Sequence, residues 1–474
     1  MANLLTPLFP HQIKHLQFAL AHPRSGNWSD CGIGKTLIAL SLFHIKQQLG
    51  LAKHALVVCP LSVITSWALE IEKHTTFTYA KLTGTVEQKV KTLLKKDKDI
   101  YLVTYDSIPF RRGTKPFVFM ALKEFGFDLL VCDEITCIKN IQARRTRALI
   151  ALCDNIENIL FLSATPITQK VEDVFTIYRA LDQTVFGEPG SAIRKYMYNM
   201  GYKYPNWKLS SARVKEFQNK IYSIAVRITK GECLTLPEKI WLPRFCGLDK
   251  QQREVYDQVV NDILVDLKVV RVNIPLAIGK TAKLSQVADG FIYAENKTYR
   301  LCDKPSKIDL LFDIINYEIP STEKIIIYAH WREDIKIIEQ YLTQYKLPYI
   351  VLHGGLSQKA RTTAISTFAN QPVEICKIMI SQTEVGGFGL NLPQSANIIY
   401  YSLSFSLAHF IQSQDRIHRI GQTKPCRYFV LLVEGTIDLF IYQKILRGTE
   451  ISKILLDERG IEELKQALLQ SLQH

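Results

Sequence analysis

The residues able to do chemistry fall into a few short stretches that lie far apart in the chain. The first is Ser29-Asp30-Cys31-Gly32-Ile33-Gly34-Lys35-Thr36, followed by Leu37-Ile38-Ala39-Leu40. Glycines at this spacing let backbone N–H groups turn inward on phosphate oxygens at the start of a helix. Gly32 and Gly34 would form the cradle, Lys35 would meet the β- and γ-phosphates, and Thr36 would hold Mg²⁺. The full eight-residue pattern wants glycine where Ser29 stands, so the match is incomplete, and an ordinary glycine turn is the plain alternative.

The second stretch is Asp133-Glu134, directly after the apolar run Leu129–Cys132. A carboxylate at the C-terminal edge of a parallel strand faces the crevice where ligands bind. Asp133 would hold Mg²⁺ through water, and Glu134 would polarise an attacking water. Two surface acids on a loop are the bland reading, and it weakens once a phosphate loop precedes them.

The third is Gln412-Ser413-Gln414-Asp415-Arg416-Ile417-His418-Arg419-Ile420-Gly421-Gln422. Arg416 and Arg419 are three apart, a spacing expected to put them on one face of a helical turn. Guanidinium groups there could meet the charge that develops on a transferring phosphoryl group, and Gln412 could orient the water or touch the γ-phosphate. A basic helix face is the alternative. Gln12, in Leu8-Phe9-Pro10-His11-Gln12, could read adenine through both ends of its amide. Lys35 and the two arginines can serve one triphosphate only if two lobes close over it, which is the geometry of a motor.

Strand-like runs must carry these groups. Ala55–Cys59, Ile100–Thr104, Leu129–Cys132 and Ile159–Leu162 form one block. Ile325–Tyr328, Tyr349–Leu352, Ile378–Ile380, Ile398–Tyr401 and Phe429–Leu432 form another. They are apolar without alternation, as strands covered on both faces are, and helix-length segments such as Gln358–Phe368 separate them. The pattern predicts an α/β fold of parallel sheets. Between the blocks, from Phe186 to Tyr299, amphipathic helical patterning dominates, as in Lys250–Val272 and Lys280–Val287.

The 474 residues suit two or three domains, and 47% hydrophobic content excludes general disorder. The balance of 59 Lys plus Arg against 45 Asp plus Glu gives +14, which fits a polyanionic partner as well as a solvated surface. Ten scattered cysteines without a Cys-x-x-Cys pair read as reduced and buried, Cys59, Cys132 and Cys376 among them, in an intracellular compartment. The N-terminus lacks a signal-peptide pattern, and no uncharged run is long enough to span a bilayer, so a soluble protein with no membrane partner is expected.

Taken in order, these blocks resemble the superfamily II (DEAD/DEAH-like) helicase motors, and specifically the Swi/Snf-type DNA translocases. Asp30-Cys31-Gly32-Ile33-Gly34-Lys35-Thr36 resembles that family's phosphate loop, in which the Ser29 departure is tolerated. Val58-Cys59-Pro60-Leu61-Ser62-Val63-Ile64-Thr65-Ser66-Trp67 resembles its next motif. Asp133-Glu134-Ile135-Thr136-Cys137-Ile138-Lys139-Asn140 keeps the Asp-Glu and the Lys-Asn tail, with Ile135-Thr136 where the family has Ala-His. Leu162-Ser163-Ala164-Thr165-Pro166-Ile167, Arg227-Ile228-Thr229-Lys230, Leu236-Pro237-Glu238-Lys239, His353-Gly354-Gly355 and Gly386-Gly387-Phe388-Gly389-Leu390-Asn391-Leu392 fall in the family's order up to Arg419-Ile420-Gly421-Gln422.

The resemblance implies a P-loop NTPase of two RecA-like parallel-sheet lobes with a helical insertion between them. Residues 1–240 would be the ATP-binding lobe with a protrusion near 186–226, 241–304 a helical linker, and 305–474 the helicase lobe with a helical tail. It implies ATP and Mg²⁺ as ligands, with Gly389 near the nucleotide. Nucleic-acid contacts would come from Ser62, Lys139 and Asn140 in lobe one and His353, Gly355, Ser381 and Gly387 in lobe two. Trp67 fits core packing better than contact, and Arg144, Arg145 and Arg147 could extend a DNA-facing surface. The implied activity is ATP hydrolysis at the lobe interface, driving translocation along duplex DNA or remodelling of DNA–protein complexes. A strand-separating DNA or RNA helicase and a non-catalytic nucleic-acid-binding scaffold are the competing readings. A monomeric motor is expected, with protein partners supplying any targeting, in a prokaryotic or virus-infected cytoplasm or a eukaryotic nucleus.

Overall fold

The structure is a computed structural model and describes residues 4–109, 117–164, 170–200, 207–269, 274–294, 297–383, 392–448 and 458–473. It divides into two units, Met1–Thr235 and Leu236–His474. In the first, strands β1 (Arg24–Asn27), β2 (Ala55–Cys59), β3 (Tyr79–Lys81), β4 (Ile100–Thr104), β5 (Leu129–Asp133), β6 (Asn158–Leu162) and β9 (Ala225–Val226) pair in the order β3-β4-β2-β5-β6-β1-β9. Every neighbouring pair is parallel. Helices pack around this sheet, among them α1 (Pro10–Ala21), α2 (Lys35–Gln48) and α3 (Ile64–His74).

Strands β2 and β4 are buried along their whole length, as their unbroken apolar sequences predict. Strand β1 is not visible in that way, since Arg24-Ser25-Gly26-Asn27 is polar. It is a strand because β6 and β9 pair with it on either side, and Gly26 fits there because a Cβ would come within 2.3 Å of the Trp28 ring. The expected protrusion near 186–226 holds a short hairpin, β7 (Met197–Asn199) against β8 (Trp207–Leu209), between two helices. Phe175, Phe186, Tyr196 and Phe217 stitch it to the core, with ring centroids 5.3 Å apart in the closest pair.

The second unit carries the sheet β10-β17-β16-β13-β15-β14, again all parallel. Its strands are β10 (Lys239–Cys246), β13 (Lys324–Ala329), β14 (Tyr349–Leu352), β15 (Ile378–Gln382), β16 (Ser395–Tyr400) and β17 (Cys426–Val433). A small antiparallel hairpin, β11 (Phe291–Ala294) with β12 (Lys297–Arg300), stands apart. Both sheets are those of RecA-like lobes. The helices Lys250–Val269 and Ile274–Ala288, read from sequence as a linker, fall inside the second unit, where Tyr256, Val260, Leu284 and Val287 join its core. β10 also belongs to this unit, as an edge strand that tolerates Pro243 because one side of its backbone has no ladder partner.

The core of the second unit contains charge. Lys307 is 1% exposed and lies 2.7 Å from both Asp289 and Asp438. Burial alone would favour loss of its proton, but the two carboxylates hold the ammonium above its usual range. Asp334 is fully buried nearby, accepting from the Ser402 hydroxyl and the Trp331 N–H. None of the ten cysteines forms a disulfide, and Cys59, Cys132, Cys153, Cys376 and Cys426 are buried. Among the described residues no helix is long and apolar enough to cross a membrane.

Candidate nucleotide site and nucleic-acid-facing segments

The loop after β1 is set by backbone conformation first. Gly32 and Gly34 have φ of +82° and +85°, the left-handed region that costs a side-chain-bearing residue strain. Gly34 is the residue before α2, and no side chain caps that helix start. Its N–H groups and the half-exposed Lys35 and Thr36 are therefore the groups that an anion would meet. Lys35 Nζ donates to the carbonyls of Ser29 (2.7 Å) and Asp30 (3.2 Å), so the ammonium already folds back over the loop.

Helix α1 props this loop from behind. Its buried face carries three polar side chains, His11, Gln12 and His15. His11 Nε2 and Gln12 Nε2 both donate to the Ile33 carbonyl, at 3.0 and 3.1 Å. The Gln12 oxygen accepts from the Phe9 N–H at 2.9 Å. A Cβ on Gly34 would fall 2.2 Å from Gln12 Nε2, a second reason for glycine there. Gln12 was expected on adenine; here it is 1% exposed and its amide is spent on the chain itself. In this arrangement the residue supports the phosphate loop.

Ser29, the departure from the glycine pattern, has its own work. Its hydroxyl accepts from the Ile228 N–H at 2.9 Å and meets His15 Nε2 at 3.2 Å, while His15 Nδ1 meets the Asn27 amide at 2.8 Å. Burial, helped by the nearby His11 and Lys35, lowers the His15 pKa to about 4, so the ring is neutral and can donate through one nitrogen while accepting at the other. The Lys230 N–H donates to Asp30 Oδ2 at 2.9 Å, and the Asp30 N–H to the Ile228 carbonyl at 3.2 Å. The phosphate loop is thus fastened to residues 228–230.

Asp133 ends β5, two strands from β1 at the same edge of the sheet. Its carboxylate is held from two sides: Oδ2 accepts from the Trp67 indole at 2.8 Å and Oδ1 from the Glu134 N–H at 2.9 Å. The Tyr105 hydroxyl donates to its carbonyl at 2.8 Å. Glu134 has φ 49° and ψ 53°, a strained conformation for a residue with a side chain. Trp67 is 1% exposed, in agreement with core packing, but the packing reading missed the indole's polar partner. The Thr36 hydroxyl at the start of α2 and the Asp133 carboxylate at the end of β5 are hard oxygen donors, which fit Mg²⁺.

The arginine segment departs from expectation. The helix Leu407–Gln414 stops before either arginine, and Arg416 and Arg419 lie in successive turns rather than on one helical face. Gln422 fixes those turns: its amide nitrogen reaches the carbonyls of Ser395 (2.8 Å), Pro393 (3.3 Å) and Ile417 (3.4 Å), helped by Gly421 at φ +97°. Arg416 is 5% exposed and its Nε donates to the Gln412 carbonyl at 3.0 Å. Gln412 Oε1 is buried with no hydrogen-bond partner among the described residues. His418 Nε2 meets the Pro237 carbonyl at 2.9 Å, clipping the segment to the first residues of its own unit.

Of the residues expected at nucleic acid, Ser62 is half-buried in the turn just before α3, Lys139 half-buried and Asn140 exposed after the short helix Ile135–Ile138. Arg144, Arg145 and Arg147 are exposed on the next helix. His353 and Gly355 lie in the turn after β14, with the Gly355 N–H donating to His353 Nδ1 at 3.1 Å. Ser381 is fully buried inside β15, between β13 and β14, and its hydroxyl donates to the Gln382 carbonyl. Gly387 and Gly389, with Thr165-Pro166-Ile167, lie outside the described residues. Sequence reasoning missed His11, His15 and Gln422 as supports; the polar residues at 11, 12 and 15 on one helical face were the available signal.

Residues 12–306 match the SNF2-related domain, and residues 306–421 match the helicase conserved C-terminal domain. Among curated proteins the chain is similar to the Chromodomain-helicase-DNA-binding protein 1-like of Danio rerio, at 25% identity over 94% of this chain and 42% of that protein. It is similar also to the DNA repair and recombination protein RAD54B of Homo sapiens, at 24% identity over 92% of this chain and 53% of that one. The chain spans about half the length of these relatives. Among solved structures it is similar to the Sulfolobus solfataricus SWI2/SNF2 ATPase core in complex with dsDNA, at 25% identity, covering 98% of this chain and 97% of that one with a TM-score of 0.43.

Proposed function

The chain belongs to the SNF2-related family, and from that membership we propose that it is a DNA-stimulated ATP hydrolase that tracks along duplex DNA or remodels DNA–protein complexes. The observation that carries the reading is the phosphate loop. Two left-handed glycines, an uncapped helix start and Lys35 stand at the same sheet edge as Asp133 and Glu134, in a chain whose family relatives carry DNA in their names. In this reading the N–H groups around Gly32–Gly34 and the Lys35 ammonium bind the β- and γ-phosphates. Thr36 and Asp133 hold Mg²⁺, which supplies positive charge against the phosphate oxygens when bound. Glu134 orients and polarises the attacking water, its strained backbone fixing where the carboxylate starts. Arg416 and Arg419 supply cationic charge to the γ-phosphoryl oxygens in the transition state, with Gln412 beside them.

Contacts to nucleic acid come from Ser62, Lys139, Asn140, His353 and Gly355, with Arg144, Arg145 and Arg147 adding charge. Such contacts to phosphate and sugar carry no sequence information, which suits a protein that must move along its substrate. The test compares ATP turnover with duplex DNA, single-stranded DNA and RNA, followed by displacement of a triplex-forming strand. Duplex DNA is expected to give the largest stimulation and triplex displacement to require ATP. Equal turnover with and without duplex removes the translocase reading.

A further inference from the structure

We infer that Trp67 is a positioning residue that links the nucleic-acid-facing turn before α3 to the carboxylate that holds Mg²⁺. The inference rests on the function proposed above for the identity of the two ligands. Its geometric basis is independent of that reading. The Trp67 indole N–H donates to Asp133 Oδ2 at 2.8 Å; the indole is 1% exposed and the carboxylate half-buried, a charge-assisted bond with a sheltered donor. Core packing alone asks for an apolar ring; an indole that aims its one donor at a half-buried carboxylate has a directional role as well.

The link is short and stiff at both ends. Trp67 sits in the first turn of α3, and its own N–H donates to the Val63 carbonyl at 3.0 Å. Ser62 lies two residues before the start of α3, in a turn closed by the Val63 N–H donating to the Pro60 carbonyl at 3.0 Å. The turn Pro60–Val63 and the indole therefore move as one piece. The strands that launch the two partners, β2 and β5, are direct neighbours, paired from Ala55 with Leu129 to Val58 with Cys132. Asp133 Oδ1 accepts from the Glu134 N–H and Oδ2 from the indole, which ties the carboxylate directly to α3. A backbone phosphate that shifts the Ser62 turn shifts the indole, and with it the carboxylate beside the γ-phosphate. Nucleic acid then tunes the metal-holding group without touching it.

The test uses the full chain with Trp67→Phe, which keeps an aromatic ring and deletes the N–H. The control is Tyr105→Phe, which deletes a buried hydrogen bond to the Asp133 carbonyl and leaves the carboxylate alone. Mn²⁺ affinity in the presence of ADP is read by electron paramagnetic resonance, duplex affinity by anisotropy, and kcat with and without duplex. Trp67→Phe should weaken Mn²⁺ binding about 10-fold and cut the fold-stimulation by duplex about as much, with duplex affinity unchanged. Tyr105→Phe should leave Mn²⁺ affinity near wild type even if its melting temperature falls equally. Wild-type Mn²⁺ affinity and stimulation in Trp67→Phe, or equal losses in the two variants, would overturn the inference. A wild-type enzyme that ignores every nucleic acid would sink the proposed function and the coupling together. The Mn²⁺ result would then still decide whether the indole orients Asp133.

Discussion

The phosphate loop follows a parallel strand and the arginine segment follows a helix, and the two are kept in shape by opposite means. The loop is shaped by its own left-handed glycines and propped from behind by α1, and its working groups stay half-exposed. The arginine segment has little intrinsic preference for its path. Gln422 imposes it by reaching three carbonyls, and Arg416 is buried with its Nε on Gln412. The first is a receptacle shaped by its own glycines and steadied from behind. The second is a held posture, and its chemistry depends on a neighbour's amide.

The widest way to break this contrast is to remove chemistry from the receptacle. Lys35→Ala should reduce ATP hydrolysis at least about 1,000-fold, to the background of a phosphate-release assay, while circular dichroism stays native. Arg416→Ala should lower kcat by about 1,000-fold with ATP affinity nearly unchanged, because its charge is needed in the transition state. Steady-state kinetics that show weakened affinity at constant kcat would place Arg416 in ground-state binding instead. Gln12→Ala sharpens the comparison at smaller scale. A prop that is lost should weaken ATP and GTP binding alike, by about 10-fold, for want of one or two hydrogen bonds. An effect on ATP alone would return Gln12 to adenine.

The smallest expected effect concerns the buried charge of the second unit. Burial raises the Asp334 pKa to about 7, with Asp289, Asp438, Lys307 and Tyr401 as its titratable neighbours. The folded value lies above the unfolded one, so the folded state binds the extra proton. Stability from this group is therefore present at low pH and lost as pH rises through about 7. Asp334→Asn should flatten the fall in denaturant midpoints between about pH 4 and 7 and leave the variant the more stable protein at the alkaline end. An unchanged slope would mean that another group carries the proton.

Much of this was legible in the sequence, for a physical reason: strands covered on both faces need unbroken apolar runs, and nine such runs became strands where expected. β1 escaped because its polar residues are buried by the strands that flank it on both sides, not by an apolar run of its own. β10 escaped because an edge strand tolerates Lys239, Pro243 and Arg244. The glycines of the loop were legible since only glycine adopts that backbone cheaply. The turns at Arg416 and Arg419 were not, because Gln422 acts through carbonyls as distant as Pro393, and residue spacing carries no trace of such a contact. The Trp67–Asp133 bond was hidden likewise: an indole reads as core until its donor is located.

Ser29 and Asp30 give the chain one further property. Their bonds to Ile228 and Lys230 make the phosphate-binding turn and the stretch leading toward Leu236, where the other unit begins, into a single laced ribbon. Arrival of a triphosphate would tighten the lacing. The amide hydrogens of Ile228 and Lys230, some two hundred residues downstream of the lysine, would then exchange more slowly with solvent and report occupancy at a distance.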